Sequence, residues 1–549
     1  MMRRLLIAAA LLLAGGGAIA ATTAKDSDFS ADRFRAHVAF LADDLLEGRD
    51  TGSRGYDIGA AYVATQFEGL GLKPGGEAGS WYQSVPLRSS SLVPGSALVT
   101  IKGPGGSTTW ASGTEVLVGA SAFEKAQDLT ASVVFAGYGI DAPALRLDDY
   151  RGLDVRGKIV VTLSGVPANV PGELGAWLAD QKAAMAARHG AVGLVTIDTN
   201  ESAEAFPWNA RVRSSGRSRM TWLDPSGKPL DESPGLYAGA TLNAPAAAAL
   251  FAGASRTYAD VRAEAAAPGG RPRGFPLKAR MRIKRDSSWT DIIGREVIAI
   301  LPGSDPKLAS EYVVLMGHLD HLGVKANAKA GEDRIFNGAL DNAAGIATML
   351  EAARAFVQAG YRPRRSIMFI ANTAEEKGLL GSDYFAHNST VPIGNIAAVV
   401  DLDMPLLLYD FTDVVAFGAE HSTVADAVAR AAREMNVALS PDPMPEQHIF
   451  VRSDHYSFVK QGVPAVLLMT GFANGGEEQW SAFLNGAYHN VNDDMKQPIH
   501  WQQGARYARL NYLISRELAD TDERPRWYRD DFFGDVYAPQ APKARRPRS

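Results

Sequence analysis

Three short stretches hold the residue types best suited to chemistry. Gly317-His318-Leu319-Asp320 ends a hydrophobic run, Asp341 precedes Asn342-Ala343-Ala344-Gly345, and Thr373-Ala374-Glu375-Glu376 follows a second apolar segment. Residues two apart on extended backbone face the same way, so Asp320 can reach the second ring nitrogen of His318, fixing its tautomer and raising its basicity toward a metal. Asp341 reads either as a helix N-cap or as a carboxylate bridging two metals, with Ala-Ala-Gly letting the helix start close by. Glu375 and Glu376 alone are an ordinary solvated pair. Beside a metal, one would ligate and the other would take a proton from bound water. Asp401-Leu402-Asp403-Met404 at another strand end, and Tyr488-His489 with Asp493-Asp494 in a later loop, add the oxygen and imidazole ligands that zinc accepts. Each block is weak alone. Their occurrence together, each after a separate strand or loop of one region, points to a single site.

The elements that must position these residues alternate in type. Candidate strands are Val297–Leu301, Tyr312–Gly317, Ser366–Ile370, Ala397–Leu402 and Ala465–Met469. Candidate helices are Ala343–Ala359, Gly378–Ala386, Thr423–Met435 and His500–Leu518. Buried, β-branched strands separated by helices predict an α/β fold with a mostly parallel sheet covered on both faces, its chemistry at the strand ends. Residues 25–95 read as the first part of the same domain, with Phe34–Leu46 and Ile58–Leu70 at helical spacing and a strand at Ser80–Leu87. Between them, residues 96–285 are β-rich and carry no cluster of catalytic groups, so they read as an insertion. Within it a helix is expected over Ala246–Ala267, started by Pro245, and a linker over Pro268–Pro276; His189 is expected to cap a helix end. Residues 286–522 complete the catalytic part. The tail, 523–549, is expected to dock its aromatics and leave its last ten residues disordered.

Composition narrows the chemistry. The chain has 549 residues, enough for two or more domains, and a net charge of -5, which gives no sign of nucleic-acid binding. It contains no cysteine, which excludes thiolate ligands, a cysteine nucleophile and disulfides; metal must be held by carboxylates and by some of the 10 histidines. Met1-Met2-Arg3-Arg4, the apolar run Leu5–Ala20 and its Ala18-Ile19-Ala20 ending predict a cleaved secretory leader. The expectation is an exported bacterial protein, periplasmic or secreted, with no stable membrane anchor after cleavage.

Taken together, His318-x-Asp320, Asp341, Glu375-Glu376, Asp403 and His489 resemble metallopeptidase family 28, the two-zinc aminopeptidases whose relatives include glutamate carboxypeptidases. The resemblance covers nearly the whole mature chain. Val155-Arg156-Gly157-Lys158 and the turn Gly190–Gly193 resemble a protease-associated domain, which several branches carry as an insertion. It implies a three-layer zinc-exopeptidase fold, peptide substrates and two zinc ions per chain. His318 and Asp403 would hold one ion, Glu376 and His489 the other, and Asp341 both. Glu375 would be the general base and Asp320 would orient His318. Asp401 competes with Asp403, since the two share a face, and the Leu-Asp-Met pattern favours Asp403. The chain departs from the family at His489-Asn490-Val491, commonly His-Thr-Pro, and at Glu296, often Asn. Ser453–Phe458 resembles a pocket segment, which implies substrate-side roles for His455 and Tyr456, the latter supporting an oxyanion. His321, His387, His421, His448 and His500 have no motif context and read as surface or packing residues. The implied activity is removal of N-terminal residues from peptides. The alternatives are a carboxypeptidase or dipeptidase, with Arg452 as the carboxylate partner, or an inactive receptor-like protein.

Overall fold

A single strand, Phe275–Leu301, runs through two sheets and joins two hydrophobic cores in the computed structural model, which describes residues 25, 28–170 and 172–547. The leader expected at Met1–Ala20 lies outside the described residues. In the strand's first half Leu277, Ala279, Met281 and Ile283 are buried while Lys278, Arg280 and Arg282 are exposed, the period of a sheet with one face on a core. This half pairs with Leu98–Gly103 and Ala126–Phe135 of the inserted unit. Beyond Asp286 the same strand pairs with Tyr82–Leu92 and then Ser366–Asn372, and Val297, Ile298 and Ala299 are fully buried.

The centre of the catalytic sheet is parallel. Ser366–Asn372, Tyr312–His318, Ile396–Asp401 and Ala465–Thr470 lie side by side in that order, with Asp413–Phe417 antiparallel at the far side. These strands are apolar along their length because both faces are covered. Helices Ala31–Leu41, Ala344–Gln358 and Trp501–Asp520 pack together on one face, and Leu380–His387 with His455–Val459 on the other. All four parallel strands therefore end at one rim, where the loops carrying His318, Glu375, Asp403 and Thr470 converge.

The inserted unit has its own parallel strands, Ala126–Phe135, Ile159–Leu163, Gly193–Ile197 and Ala238–Leu242, around a separate core. It also lends a strand to the catalytic sheet: Arg219–Trp222 pairs antiparallel with Tyr82–Leu92. Trp222 fastens this strand, its indole N–H donating to Asp383 (2.8 Å) while its ring meets Tyr384 edge-on.

Three expectations change. The helix expected over Ala246–Ala267 is two helices, Ala244–Leu250 and Tyr258–Ala266, because Gly253 turns the chain at φ 70 and Thr257 with Asp260 caps a new start. Phe275 and Pro276 of the expected linker already belong to the long strand. The end of the chain is docked as far as it is described: Ala544 N–H donates to the Trp527 carbonyl, Lys543 donates to the Gly534 carbonyl, and the Arg546 guanidinium lies over Tyr528. Lys543 and Arg546, two of the basic residues that suggested disorder, have found acceptors. Among the described residues, no helix is long and apolar enough to cross a membrane.

Candidate metal centre

Five side chains from five segments meet at the rim. His318, the last residue of its strand, directs Nε2 to within 3.2 Å of Asp341 Oδ1 and 3.2 Å of Asp403 Oδ1. His489, from the loop before Trp501–Asp520, has Nε2 3.2 Å from Asp341 Oδ2 and 3.2 Å from Glu376 Oε2. The Asp341 carboxylate thus joins two groups, one oxygen facing each. These close approaches are not all hydrogen bonds: Asp341 Oδ2 has no hydrogen-bond partner although His489 is beside it. Nitrogen and oxygen lone pairs drawn together without alignment suit a shared cation at each group. Imidazoles with carboxylates are a donor set for zinc, and the residues present fit two such ions.

The surroundings explain why this arrangement holds. The N–H groups of Leu340 and Asp341 donate to the buried Asp493 carboxylate (2.9 and 3.0 Å), fixing the backbone that carries Asp341. Asn342 ties the next residues down, donating to the Leu402 carbonyl (2.9 Å) and accepting from Gly345 N–H (3.1 Å). Gly345 is required here, since a Cβ would lie 2.0 Å from the Leu402 carbonyl oxygen. Arg49 is fully buried under the site, donating to the carbonyls of Leu41, Leu319, Asn337 and Gly338. Burial draws its pKa down to about 10, while Asp493, Asp320, Asp341 and Glu376 favour its charge. One cation therefore partly balances several buried acids.

The charges are strongly coupled. Burial disfavours the His318 cation, yet Glu375, Asp403 and Asp341 outweigh it and hold its pKa well above the ordinary value. Burial likewise opposes the Asp341 and Glu376 anions, but the imidazoles win: Asp341 is held well below its usual value by His318 and His489, and Glu376 falls to about 2 under His321 and His489. Glu375 goes the other way. Burial raises it, His318 opposes, and the neighbouring Asp403 and Glu376 add to the rise.

Several expected roles meet different geometry. Asp320 does not bond the His318 ring through its carboxylate, which stays 4.0 Å away; its backbone carbonyl accepts the His318 Nδ1 bond at 3.0 Å. The carboxylate instead accepts from the Thr51 hydroxyl (3.1 Å) and from Glu375 N–H (3.2 Å), the regular strand having ended at His318. Asp403 is the acid beside His318. Asp401 turns to the Ser453 hydroxyl (2.7 Å) and to His455 N–H and Nδ1 (both 3.1 Å). His455 is fully buried behind Asp401 and does not line the pocket. Tyr456 also faces away, its hydroxyl 3.3 Å from that of Tyr537. The short helix His455–Val459 packs both rings away from the metal-centre pocket, which neither of them lines.

Sequence reasoning also missed residues. His321, read as a packing residue, is fully buried with Nδ1 2.7 Å from Glu376 Oε1. Its position three residues after His318 in the same loop was the available signal. His421 is not a bystander either: it joins Asp531 (2.7 Å) and Glu173 (3.3 Å). His189 does sit at a helix C-cap, with Nε2 2.9 Å from Asp141. Glu296 is fully buried with neither oxygen hydrogen-bonded, and burial, with Asp454 nearby, raises its pKa well above the usual range.

A pocket of about 90 Å³ opens beside the centre. His318, Asp341, Glu375, Asp403 and His489 form its polar side, and Met404, Met444, Ile449, Leu467, Met469, Trp480 and Leu484 its apolar side. Tyr488 lines it too, stacked on His489 with ring centroids 3.9 Å apart.

Comparison with known proteins agrees with this architecture. An aminopeptidase from Aneurinibacillus sp. strain AM-1 superposes with a TM-score of 0.51 at 20% identity, covering 91% of this chain and 96% of its own. A probable zinc metalloprotease of Pyrenophora teres f. teres is 37% identical over 108 residues, 20% of this chain and 22% of the relative. A probable leucine aminopeptidase 2 of Aspergillus oryzae is 27% identical over 230 residues, 39% of this chain and 43% of the relative. The chain thus spans less than half the length of these curated relatives. Residues 296–514, which hold every residue of the centre, match peptidase family M28, and the chain carries a domain of that family.

Proposed function

We propose that this protein is an exported aminopeptidase that holds two zinc ions and removes N-terminal residues from peptides, with Glu375 as general base. The observation that carries the reading is the Asp341 carboxylate shared between the His318–Asp403 and His489–Glu376 groups, with Glu375 within 4.8 Å of His318 and Glu376. Bound zinc supplies a Lewis acid and lowers the pKa of coordinated water toward neutrality. Glu375, its pKa lifted by burial, is suited to take that proton and return it to the leaving amine.

The pocket supports an exopeptidase. Its volume suits a single side chain, and its methionines, leucines and Trp480 suit a large apolar one. Asp341, Glu375 and Asp403 on the polar side favour a free ammonium group at the substrate's N-terminus. The names of the relatives, leucine aminopeptidase among them, agree with this preference. Arg452 lines the same pocket and favours a second reading, a carboxypeptidase or dipeptidase that clamps a carboxylate. Its guanidinium already donates to the Gln447 carbonyl at 3.1 Å.

Zinc-loaded protein assayed on leucyl-arylamide and on N-blocked dipeptides separates the two. Arylamide turnover that chelation abolishes and zinc restores is expected; cleavage of the blocked dipeptides alone overturns the aminopeptidase reading. Purified protein without zinc would turn attention to a receptor-like role. N-terminal sequencing of the exported protein tests cleavage after Ala20.

A further inference from the structure

The inserted unit contains a cleft of about 610 Å³ lined by Arg211, Arg217, Arg219 and Arg285 and by no aspartate or glutamate. That volume is within the range of ligand sites, about 300 to 1,000 Å³. Arg285 is 8% exposed, and its guanidinium donates to Gln127 Oε1 (2.6 Å) and to the carbonyls of Gly119 (2.5 Å) and Tyr237 (3.1 Å). Every one of these acceptors is neutral. Its hydrogen bonds are met and its charge is not, for Arg285 forms no ion pair among the described residues. Burial, and then the neighbouring Arg219, draw its pKa down to about 10, with Glu124 in part offsetting them. Arg219 lies against Gly119, where a Cβ would come within 3.1 Å of its Cζ, so glycine leaves room for the second guanidinium. Arg211 differs, being paired with Asp198 at 2.7 Å.

A buried cation without a counter-ion is costly, and bringing an anion to it recovers part of that cost. Guanidinium groups bind oxyanions through paired N–H bonds, and Ser218 adds a hydroxyl to the lining, whereas the Ser214 and Ser215 hydroxyls already donate to the carbonyls of Arg211 and Val212. Shared lining residues link the cleft to the metal-centre pocket. Arg452 lines both the metal-centre pocket and an adjoining cavity of about 550 Å³, and half-exposed Phe123 lines both that cavity and the arginine cleft. The three hollows follow one another along the seam between the two units.

We propose that the arginine cleft binds an oxyanion, carboxylate or phosphate, carried by a peptide that extends along this seam from the metal centre. The peptide part rests on the exopeptidase reading; anion binding itself does not.

Full-length, zinc-loaded protein is titrated by calorimetry at low salt with a short N-acetylated peptide ending in aspartates, with its asparagine counterpart, and with inorganic phosphate. The aspartate peptide is expected to bind about ten-fold tighter than the asparagine one, as charge-assisted bonds require. Joint Arg217→Ala and Arg219→Ala substitution should remove that difference without changing the thermal midpoint or arylamide turnover. Competition by phosphate in the wild type and not in this variant supports the same oxyanion chemistry and identifies free phosphate as a second source. Equal binding of the two peptides, or unchanged aspartate-peptide binding by the variant, overturns the proposal. The acetylated peptide is read by binding alone, so such a failure leaves the peptidase reading intact. Absence of arylamide turnover with intact anion binding counts against that reading only.

Discussion

His321 Nδ1 lies 2.7 Å from Glu376 Oε1, while the other oxygen of that carboxylate lies 3.2 Å from His489 Nε2. One imidazole thereby fixes the rotation of Glu376 and turns its second oxygen toward His489 and Asp341. Supporting bonds of this kind are worth about 10- to 100-fold in metal affinity. His321→Ala should weaken zinc binding by that factor in a chelator-competition titration, with the fold retained. Unchanged affinity would remove His321 from the account of the centre.

Glu375 touches the pocket but stands outside the two groups joined by Asp341. Glu375→Gln keeps the shape and removes the base, so zinc content should stay at the wild-type level while turnover of leucyl-arylamide falls about 10²- to 10⁴-fold. Near-normal turnover would rule out Glu375 as the proton carrier.

The Tyr456 hydroxyl faces Tyr537 rather than the metal-centre pocket. Tyr456→Phe should therefore leave kcat/KM within about three-fold of wild type, and cost about 1 kcal/mol of stability for the lost hydrogen bond. A drop of a hundred-fold in kcat at unchanged stability would mean that the hydroxyl reaches substrate after all.

His421 clasps the inserted unit and the C-terminal segment, bonding Glu173 of one and Asp531 of the other. Burial opposes its charge, but these two acids with Glu420 raise its pKa from the ordinary 6.5 to about 9. The folded protein thus holds this proton more tightly than the unfolded chain. The clasp contributes in full below about pH 6.5 and is lost as pH rises through about 9. The unfolding midpoint should fall across that window, and His421→Gln should flatten the fall. Parallel curves for the two proteins would show that the clasp does not couple to stability.

Much of the catalytic sheet was legible because its signals are local. Runs such as Tyr312–His318 and Ser366–Asn372 are apolar throughout, as strands covered on both faces must be, and the polar residues that break the pattern sit where those strands end. The boundary inside Phe275–Leu301 left a weaker trace. The burial pattern alternates up to Ser287 and becomes continuous at Glu296, as the strand passes from a one-sided sheet to one covered on both faces. Supporting contacts were less legible. His321 left only its spacing from His318 as a trace, and Arg49 left none, because it acts on loops that chain folding alone brings to it.

By itself, the sequence determined the chemistry available: oxygen and imidazole donors only, since there is no cysteine, gathered at the ends of apolar strands. Tertiary structure decided which of those donors converge. It set Asp403 rather than Asp401 against His318, turned His455 and Tyr456 inward, and gave the Asp320 carboxylate to Thr51 and the loop N–H groups of Glu375 and Glu376. The reason is physical. Periodicity states which face a side chain leaves from, whereas its partner depends on the turn after the strand and on what the rest of the fold packs against it.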